Sequence, residues 1–412
     1  MEDPLHKPYD QKVLSRSKRL SMAIILGILA AFGPLSMDMY LPALPNIAKD
    51  FHTNASFVQL TITFFVLGLA SGQLLTGPIS DVTGRRKPLL IGLMAYFIVS
   101  LLCVFSPSIW GLIILRFIQG FAGSAGVVIS RAIVRDLYSG SELTKFFSLL
   151  ALINGLAPIL APVLGGQLLK VVPWQGVFIV LSAIGIVMFF VVLFGLPETL
   201  QEKQRTVGGI KNTFHAFSKL ITNRTFMGYA LAQGLVTACL FSYISGSPFV
   251  IQDIYEASPQ TFSLIFAVNA IGIMICSQIT GRLAGKIPES TMFKFGLGMA
   301  ALGAIILLIL IFLQATLVFL LIPLFFVVSS VGIVNTSGFS LAMQTQGKNA
   351  GSASALLGVT SFALGGIVSP LVGIGGGHTA IPMGVVMACT GCGSILTYLM
   401  LVKRKRRGIV NK

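Results

Sequence analysis

Long apolar segments separated by short polar ones occupy almost the whole chain. Segments of about 20 apolar residues recur from Leu20 to Val402, and each is long enough to cross about 30 Å of hydrocarbon as an α-helix. We predict twelve spans, at about 20–45, 57–79, 88–105, 109–131, 144–170, 174–196, 225–248, 260–284, 291–313, 317–343, 349–374 and 379–401. The ten-residue alternation typical of a membrane β-barrel does not occur. The pattern therefore predicts an all-α membrane protein.

Composition excludes a soluble fold. Of the 412 residues, 55% are hydrophobic and 10% are charged, whereas an ordinary soluble domain has about 25% charged residues. The mean hydropathy of +0.88 also excludes a disordered chain, because disordered chains have few apolar residues. The net charge of +16 does not indicate nucleic-acid binding, since the basic residues lie in short tracts between apolar segments. We expect a lipid bilayer around the protein and no nucleic acid as a partner.

The distribution of Lys and Arg predicts the orientation, because basic residues are enriched in cytoplasmic loops. If both termini are cytoplasmic, all but three of the 29 basic residues fall on that side. The exceptions are Lys49 and Lys170, which fall outside, and Arg116, which falls within a span. The tract KRKRR at 403–407 directly follows an apolar segment, so we interpret it as a cytoplasmic anchor rather than a nuclear signal.

The spans divide into two sets of six. We predict a cytoplasmic tail at 1–19, a six-helix bundle at 20–196, a cytoplasmic linker at 197–224, a second six-helix bundle at 225–402 and a basic cytoplasmic tail at 403–412. Residues 76–80, TGPIS, are similar to residues 280–284, TGRLA, and the same offset of 204 aligns Gly92 with Gly296. Internal repeats of this kind are frequent in transporters.

Two charged residues are too deep in their spans to reach water easily. They are Asp38 in the first span and Arg116 in the fourth, at ~9 and ~10 Å below the same outer face. A charge at mid-membrane costs at least ~3 kcal/mol, so such a residue is a candidate for function. A carboxyl subject to both desolvation and a nearby charge can take up and release a proton as its access switches. The alternative is a static pair that locks the two helices together.

Three further segments have sequences with a distinct physical role. The segment 77–87, GPISDVTGRRK, lies at a cytoplasmic turn, where Gly77 allows close helix approach, Gly84 allows a tight turn, and Asp81 can pair with Arg85 or Arg86. Such a cluster can hold the cytoplasmic side closed. The fourth span contains Arg116 and Gln119 within LIILRFIQGFAG at 112–123, and the fifth contains GLAPILAPVLGG at 155–166. The last run, with Pro158, Pro162, Gly165 and Gly166, is typical of a bendable helix interface.

These segments resemble signatures of the major facilitator superfamily. Together with DMYLPALP at 38–45, LPETL at 196–200 and GSASALLG at 351–358, they are similar to the bicyclomycin-resistance (Bcr/CflA) branch of its twelve-helix drug:proton antiporters. The resemblance covers about Leu20 to Val402. The chain departs from the family at Val82, where a basic residue is usual, and at Ala161, where the antiporter motif has Gly.

The resemblance implies efflux of amphipathic drugs, such as bicyclomycin or chloramphenicol-like compounds, from a bacterial cytoplasm by inward proton flow. It implies a proton-transfer role for Arg116, in conjunction with Asp38. It also implies that the fifth-span motif marks an exporter. Because Ala30 and Ala31 stand where some relatives have a second acid, Asp38 is the sole deep acid, and coupling to more than one proton is not expected.

A drug cavity should be mostly apolar with a few polar anchors. We propose as candidate substrate contacts Asp38, Tyr40, Gln119, Asn154, Gln233, Tyr243, Asn269 and Asn335. Each polar side chain could instead make a hydrogen bond between helices. Cys389 and Cys392 lie in an apolar segment, where we interpret them as small packing residues, and no metal-ligand spacing occurs.

Several other functions fit the sequence less well. A uniporter or proton symporter of a small nutrient on the same fold remains the alternative, and the fifth-span motif argues against it. An enzyme would need a nucleophile with a base, or a metal set, within the bilayer, so we expect neither catalytic residues nor a metal. The chain has no Walker sequence, so ATP is not the energy source, and it has no filter-like repeat of a pore. We expect no cofactor beyond the proton as coupling ion, and a monomer that binds a small-molecule drug.

Overall fold

A computed structural model describes residues 16–138, 140–200, 202, 205, 218, 220–344, 350–375 and 378–403. The predicted tails at 1–19 and 403–412 and the predicted linker at 197–224 fall largely outside the described residues. Within the described residues every long element is an α-helix.

Among the described residues, twelve long helices correspond one to one to the twelve predicted spans, with ends that differ by up to seven residues. They are α1 (Arg16–Asp38), α2 (Ala55–Thr83), α3 (Arg86–Val104), α4 (Ile109–Leu137), α5 (Gly140–Leu168), α6 (Gln175–Gly195), α7 (Arg224–Phe249), α8 (Pro259–Leu283), α9 (Glu289–Phe312), α10 (Leu317–Met343), α11 (Ala350–Val368) and α12 (Ile381–Tyr398). By length and composition, 11 segments of the described chain could cross a membrane, and α5 contributes the shorter apolar segment Leu152–Leu168.

The first span differs from its prediction in one respect. The regular helix α1 ends at Asp38, and the chain continues through a 3-10 turn at Leu41–Ala43 into a short helix at Leu44–Asp50. Pro42 and Pro45 interrupt the helical hydrogen bonds there, because proline has no N–H donor. Asp38 therefore lies at the C-terminal end of α1 and not in the middle of an unbroken helix.

Glycines bring the same pair of helices together in each half. In the first half, Gly68 of α2 and Gly120 of α4 face each other's main chains, and a Cβ at either position would collide with backbone atoms. In the second half, Gly332 of α10 packs on the main chain of α8 at Ile273, and Gly272 of α8 packs on the side chains of Ser329 and Phe325 in α10. Since Gly68 and Gly272 are related by the offset of 204, this packing agrees with the internal repeat. Gly77 is different, because a Cβ there would only touch Val128 at 3.7 Å.

The two halves meet along two pairs of helices, α2 with α11 and α5 with α8. Between them lies a central cavity, to which both halves contribute side chains. We call the end of the bundle where α1 begins and α4 ends the inner end, and the opposite end the outer end. The Lys and Arg distribution predicts that the inner end faces the cytoplasm.

Candidate transport cavity

The cavity between the halves has a volume of about 770 Å³, which is within the range of pockets that enclose drug-sized molecules. Its walls are mainly apolar. The polar side chains that line it are few: Asp38, Gln73, Arg131, Arg135, Asn154, Thr237, Tyr243 and Ser354. The second half also provides aromatic rings, with Tyr243 stacked on Phe266 at 5.4 Å and Phe241 edge-on to Phe362 at 6.2 Å. The cavity thus combines an apolar surface with a small number of polar anchors.

Asp38 is the one acidic residue among the described residues that line this cavity. It is 3% exposed, and its Oδ1 has no hydrogen-bond partner among the described residues. Tyr243 from the opposite half lies close enough to interact electrostatically with this carboxyl. The last turn of α1 aims Asp38 into the cavity together with Gly33, Pro34 and Met37. The carboxyl is thus buried in the cavity wall, with one oxygen that has no hydrogen-bond partner among the described residues.

Arg116 is fully buried and is not paired with Asp38. Its Nη2 donates to the main-chain oxygen of Ser36 at 3.0 Å, and its Nη1 donates to Oε1 of Gln119 at 2.5 Å. The guanidinium also lies 4.3 Å from the ring centres of both Tyr40 and Phe65. Cation–π contacts of this kind stabilise a desolvated cation. Arg116 therefore contacts the backbone of α1 two residues before Asp38, and the static ion pair considered from the sequence is not formed between these two described residues.

The outer end of the cavity is sealed by contacts between the halves. Gln59 Nε2 donates to the main-chain oxygen of Ser245 at 3.0 Å, and Thr63 Oγ1 donates to that of Gly366 at 3.1 Å. Nearer the surface, the Lys49 ammonium lies 3.4 Å from Oδ1 of Asp253. Each contact joins a residue of the first half to one of the second.

The proline- and glycine-rich run of α5 contributes to this seal. Pro158 lines the cavity. Gly165 packs on the main chain of Met39, and Gly166 packs on Ser263 of α8. Gln260 Nε2 donates to the main-chain oxygen of Gly166 at 2.7 Å. Pro162 stands within the same helix, and the run forms the helix interface expected from its small residues.

The inner end is open by comparison. Arg131 and Arg135 of α4 line the cavity there, and both are exposed. In the part of the chain that the structure describes, no hydrogen bond or ion pair joins the two halves at this end. Among the described residues, the hydrogen bonds between the halves therefore lie toward the outer end, and the exposed arginines lie at the inner end.

The 77–87 turn forms a network within the first half. Gly84 has a backbone φ of +93°, which residues with a side chain rarely adopt. Arg85 donates to Asp81 through Nη1 at 2.5 Å and to Asp136 of α4 through Nε at 2.8 Å. Arg86 donates through Nη2 to the main-chain oxygen of Leu193. The cluster ties α2, α4 and the end of α6 together, so in this conformation it braces one half and does not bridge the two.

Glu198 completes this network from the segment after α6. Its carboxylate accepts from the main-chain N–H of Arg85 at 2.8 Å and of Arg86 at 3.1 Å, and from those of Thr199 and Leu200, both at 3.0 Å. Partial burial on its own would raise the pKa of Glu198, but the four N–H donors outweigh it and hold that pKa below its usual value. The carboxylate is thus a fixed acceptor at the N-terminus of α3.

The candidate substrate contacts fall into two groups. Asp38, Asn154 and Tyr243 line the cavity. Tyr40 and Gln119 lie outside its lining, because they surround Arg116, and Tyr40 also bonds Thr61 at 2.5 Å. The others also lie outside the lining: Gln233 is buried beside Gly338, Asn269 donates to Tyr243 at 3.0 Å, and Asn335 accepts from Thr237 at 3.4 Å.

Sequence reasoning missed three features of the site. Asp136 was not singled out; it lies in the last turn of α4, 51 residues from Arg85 along the chain. Arg131 and Arg135 were interpreted only as markers of orientation, yet they line the cavity. The sequence contained no signal that distinguished them from other basic residues at a helix end.

Comparison with known proteins assigns the fold and the family. A family model described as Major Facilitator Superfamily matches residues 26–370. An "Uncharacterized MFS-type transporter YdgK" of Bacillus subtilis is 45% identical over 97% of this chain and 98% of its own length. A "Bicyclomycin resistance protein homolog" of Haemophilus influenzae is 32% identical over 93% and 97%.

A solved structure has the same fold. The bacterial homologue of the human lysosomal transporter Spinster, in its occupied form, superposes with a TM-score of 0.76 at 15% identity, covering 95% of this chain and 98% of that one. With the cavity and the bacterial relatives, these similarities exclude an enzyme and point to the inner membrane. The chain belongs to the Major Facilitator Superfamily and is a multi-pass membrane transporter.

Proposed function

We propose that the protein exports small amphipathic drugs of the bicyclomycin or chloramphenicol type from the cytoplasm, in exchange for protons that enter through Asp38. The observation that carries the proposal is the position of Asp38, near the outer end of a large apolar cavity, with an Oδ1 that has no hydrogen-bond partner among the described residues. The name of the Haemophilus influenzae relative supports the substrate class.

The exchange follows from competition at one site. In the inward-open conformation, Asp38 releases its proton toward the inner end, and a drug binds between the first-half residues and the aromatic wall of the second half. After the outer seal opens and the inner end closes, a proton from outside binds Asp38 and the drug leaves. The transporter changes between its inward-open and outward-open conformations when Asp38 is protonated or when drug is bound. It does not change when Asp38 is ionised and the cavity is empty. Drug export is therefore coupled to proton entry.

Everted membrane vesicles test this proposal. With the lumen acidified by respiration, addition of chloramphenicol or bicyclomycin should release protons from the lumen, which a pH-sensitive dye reports. Asp38→Asn should abolish the signal, whereas Asp50→Asn should not. Asp50 is a matched control, since it also lies toward the outer end but accepts a hydrogen bond from Trp174 Nε1 at 2.7 Å and lies outside the cavity lining. A wild-type signal in Asp38→Asn would remove the coupling role of this residue.

The same assay distinguishes drug:proton antiport from the alternatives, uniport or proton symport of a small nutrient. A uniporter of a nutrient gives no proton signal with its substrate, and a symporter gives a signal of opposite sign. The fold does not decide between these modes, because all of them need only two halves that alternate around one cavity.

A further inference from the structure

Two arginines form the inner part of the cavity wall. Arg131 and Arg135 are four residues apart on α4, so they lie on the same face of the helix. Both side chains line the cavity and are exposed. Arg135 is in the last turn of α4, where it also complements the helix dipole. Arg131 lies before the last turn of α4, where the helix dipole no longer stabilises a positive charge.

No acid neutralises this pair within the described part of the chain. Neither guanidinium has a carboxylate oxygen within 4.0 Å there. Asp136, the adjacent acid, is instead bonded to Arg85 and accepts from Thr199 Oγ1 at 3.3 Å. Among the described residues, the inner part of the cavity therefore has an uncompensated positive charge.

Asp38 is too distant to compensate it. Gly126 of α4 packs against the main chain of Leu29 in α1, which fixes the register of the two helices. From that contact Asp38 lies nine residues toward the outer end and Arg131 five residues toward the inner end. At 1.5 Å per residue the two charges are separated by roughly 20 Å along the axis. At this separation Asp38 forms no ion pair with either arginine, and a molecule that enters from the inner end meets the arginines first.

We propose that Arg131 and Arg135 determine the class of substrate, by admitting uncharged or anionic amphipaths and excluding lipophilic cations. This inference rests on the proposed export function and names its substrate class. A cation in the inner part of the cavity is opposed by two unpaired charges beside a low-dielectric wall, where fields are stronger than in water. An uncharged molecule passes without this cost and reaches the aromatic wall and Asp38.

Equilibrium binding of two ions of similar size tests the proposal on the purified, full-length protein. Tetraphenylphosphonium is a lipophilic cation and tetraphenylborate is the corresponding anion. The wild-type protein should bind the anion at least tenfold more tightly than the cation, and this ratio should decrease as salt increases. In Arg131→Gln/Arg135→Gln, cation affinity should rise at least tenfold and anion affinity should fall.

Two further variants separate charge from folding and shape. Arg131→Lys keeps the charge and should keep the wild-type ratio, while the single variant Arg131→Gln should give an intermediate ratio. Arg282→Gln, at the inner end of α8 but outside the cavity lining, is the matched control and should bind both ions as wild type does. A ratio that is unchanged in Arg131→Gln and the double variant, or shifted equally by Arg282→Gln, overturns the proposal.

The proton-release assay distinguishes this failure from failure of the proposed function. Ion selectivity as expected, with no proton release for any drug, would leave the charge selection standing and remove drug:proton exchange. Drug-dependent proton release with no selection between the two ions would support drug:proton exchange and overturn the charge selection by Arg131 and Arg135.

Discussion

Arg116 donates a hydrogen bond from Nη2 to the main-chain oxygen of Ser36 at 3.0 Å, two residues before Asp38. The Ser36 hydroxyl is in turn within 2.5 Å of Tyr96 OH. The end of α1, where helical carbonyls lack intrahelical donors, is thus held by a buried cation of the first half. This contact holds the backbone next to Asp38 in place without forming an ion pair with its carboxyl. A carboxyl that gains and loses a proton in each transport cycle needs such an arrangement.

Removal of the Arg116 side chain should therefore destabilise the protein. Arg116→Ala leaves the Ser36 oxygen and Gln119 Oε1 without their donor and opens a cavity between Tyr40 and Phe65. We expect a loss of roughly 3 kcal/mol in the free energy of unfolding. Thermal unfolding in detergent measures it. Arg131→Ala, which removes an exposed arginine from the same helix, should cost less than about 1 kcal/mol, and equal losses in the two variants would contradict this account of Arg116.

Drug efflux should respond to the membrane potential as well as to the pH gradient. Asp38 is the one acid that lines the cavity among the described residues, so exchange of an uncharged drug for one proton moves one positive charge inward. A potential of 100 mV then contributes about 2.3 kcal/mol per cycle. In everted vesicles, valinomycin with potassium, which removes the potential, should slow uptake of chloramphenicol, and nigericin, which removes the pH gradient, should also slow it. Uptake that is insensitive to valinomycin would indicate electroneutral exchange.

The positions of the helices could be predicted because hydropathy alone determines them. A segment such as Leu317–Met343 was predicted to the residue, since its ends are set by the polar residues that flank an apolar run. The depth of Asp38 and Arg116 followed from the same argument. The end of α1 at Asp38 did not, although Pro42 and Pro45 are breakers visible in the sequence.

The faces of the helices could not be predicted. A membrane helix is apolar toward both lipid and protein, so its sequence does not indicate which side chains face the cavity. Tyr40 and Gln119 were therefore proposed as substrate contacts but surround Arg116, whereas Arg131 was counted only among the cytoplasmic basic residues and lines the cavity. The partners Asp136 and Glu198 of the 77–87 turn depend on long-range packing that spacing along the chain does not reveal.

The Glu198 carboxylate should stabilise the first half in a pH-dependent way. Because its pKa is lower in the folded protein than in the unfolded chain, its contribution is complete above the unfolded pKa of about 4.3 and is lost as pH falls through the lower folded value. Glu198→Gln should cost roughly 1–2 kcal/mol at pH 7, and this difference from wild type should shrink as the pH is lowered below 4. Thermal unfolding across that range measures it.

The control for Glu198 is in the same segment. Glu202 is exposed, and its only ion pair among the described residues is with Arg205 at 3.8 Å. Glu202→Gln should therefore change stability by less than about 0.5 kcal/mol at any pH. A difference between Glu198→Gln and wild type that stays constant from pH 7 to below 4 would exclude the main-chain hydrogen bonds as its cause.

Weakening the outer seal should open the cavity to the outside. Gln59→Ala/Gln260→Ala removes two hydrogen bonds between the halves, each worth about 1 kcal/mol, so the outward-open fraction should rise several-fold or more. A cysteine-free protein with Met37→Cys in the cavity wall reports this through its reaction with a membrane-impermeant maleimide in intact cells. Gln175→Ala, which removes an outer-end glutamine with no hydrogen bond to the other half among the described residues, should leave labelling at the wild-type level. If the double variant is labelled no faster than this control, the two bonds do not hold the outer end closed, and closure depends on the glycine packing of α5 and α8 instead.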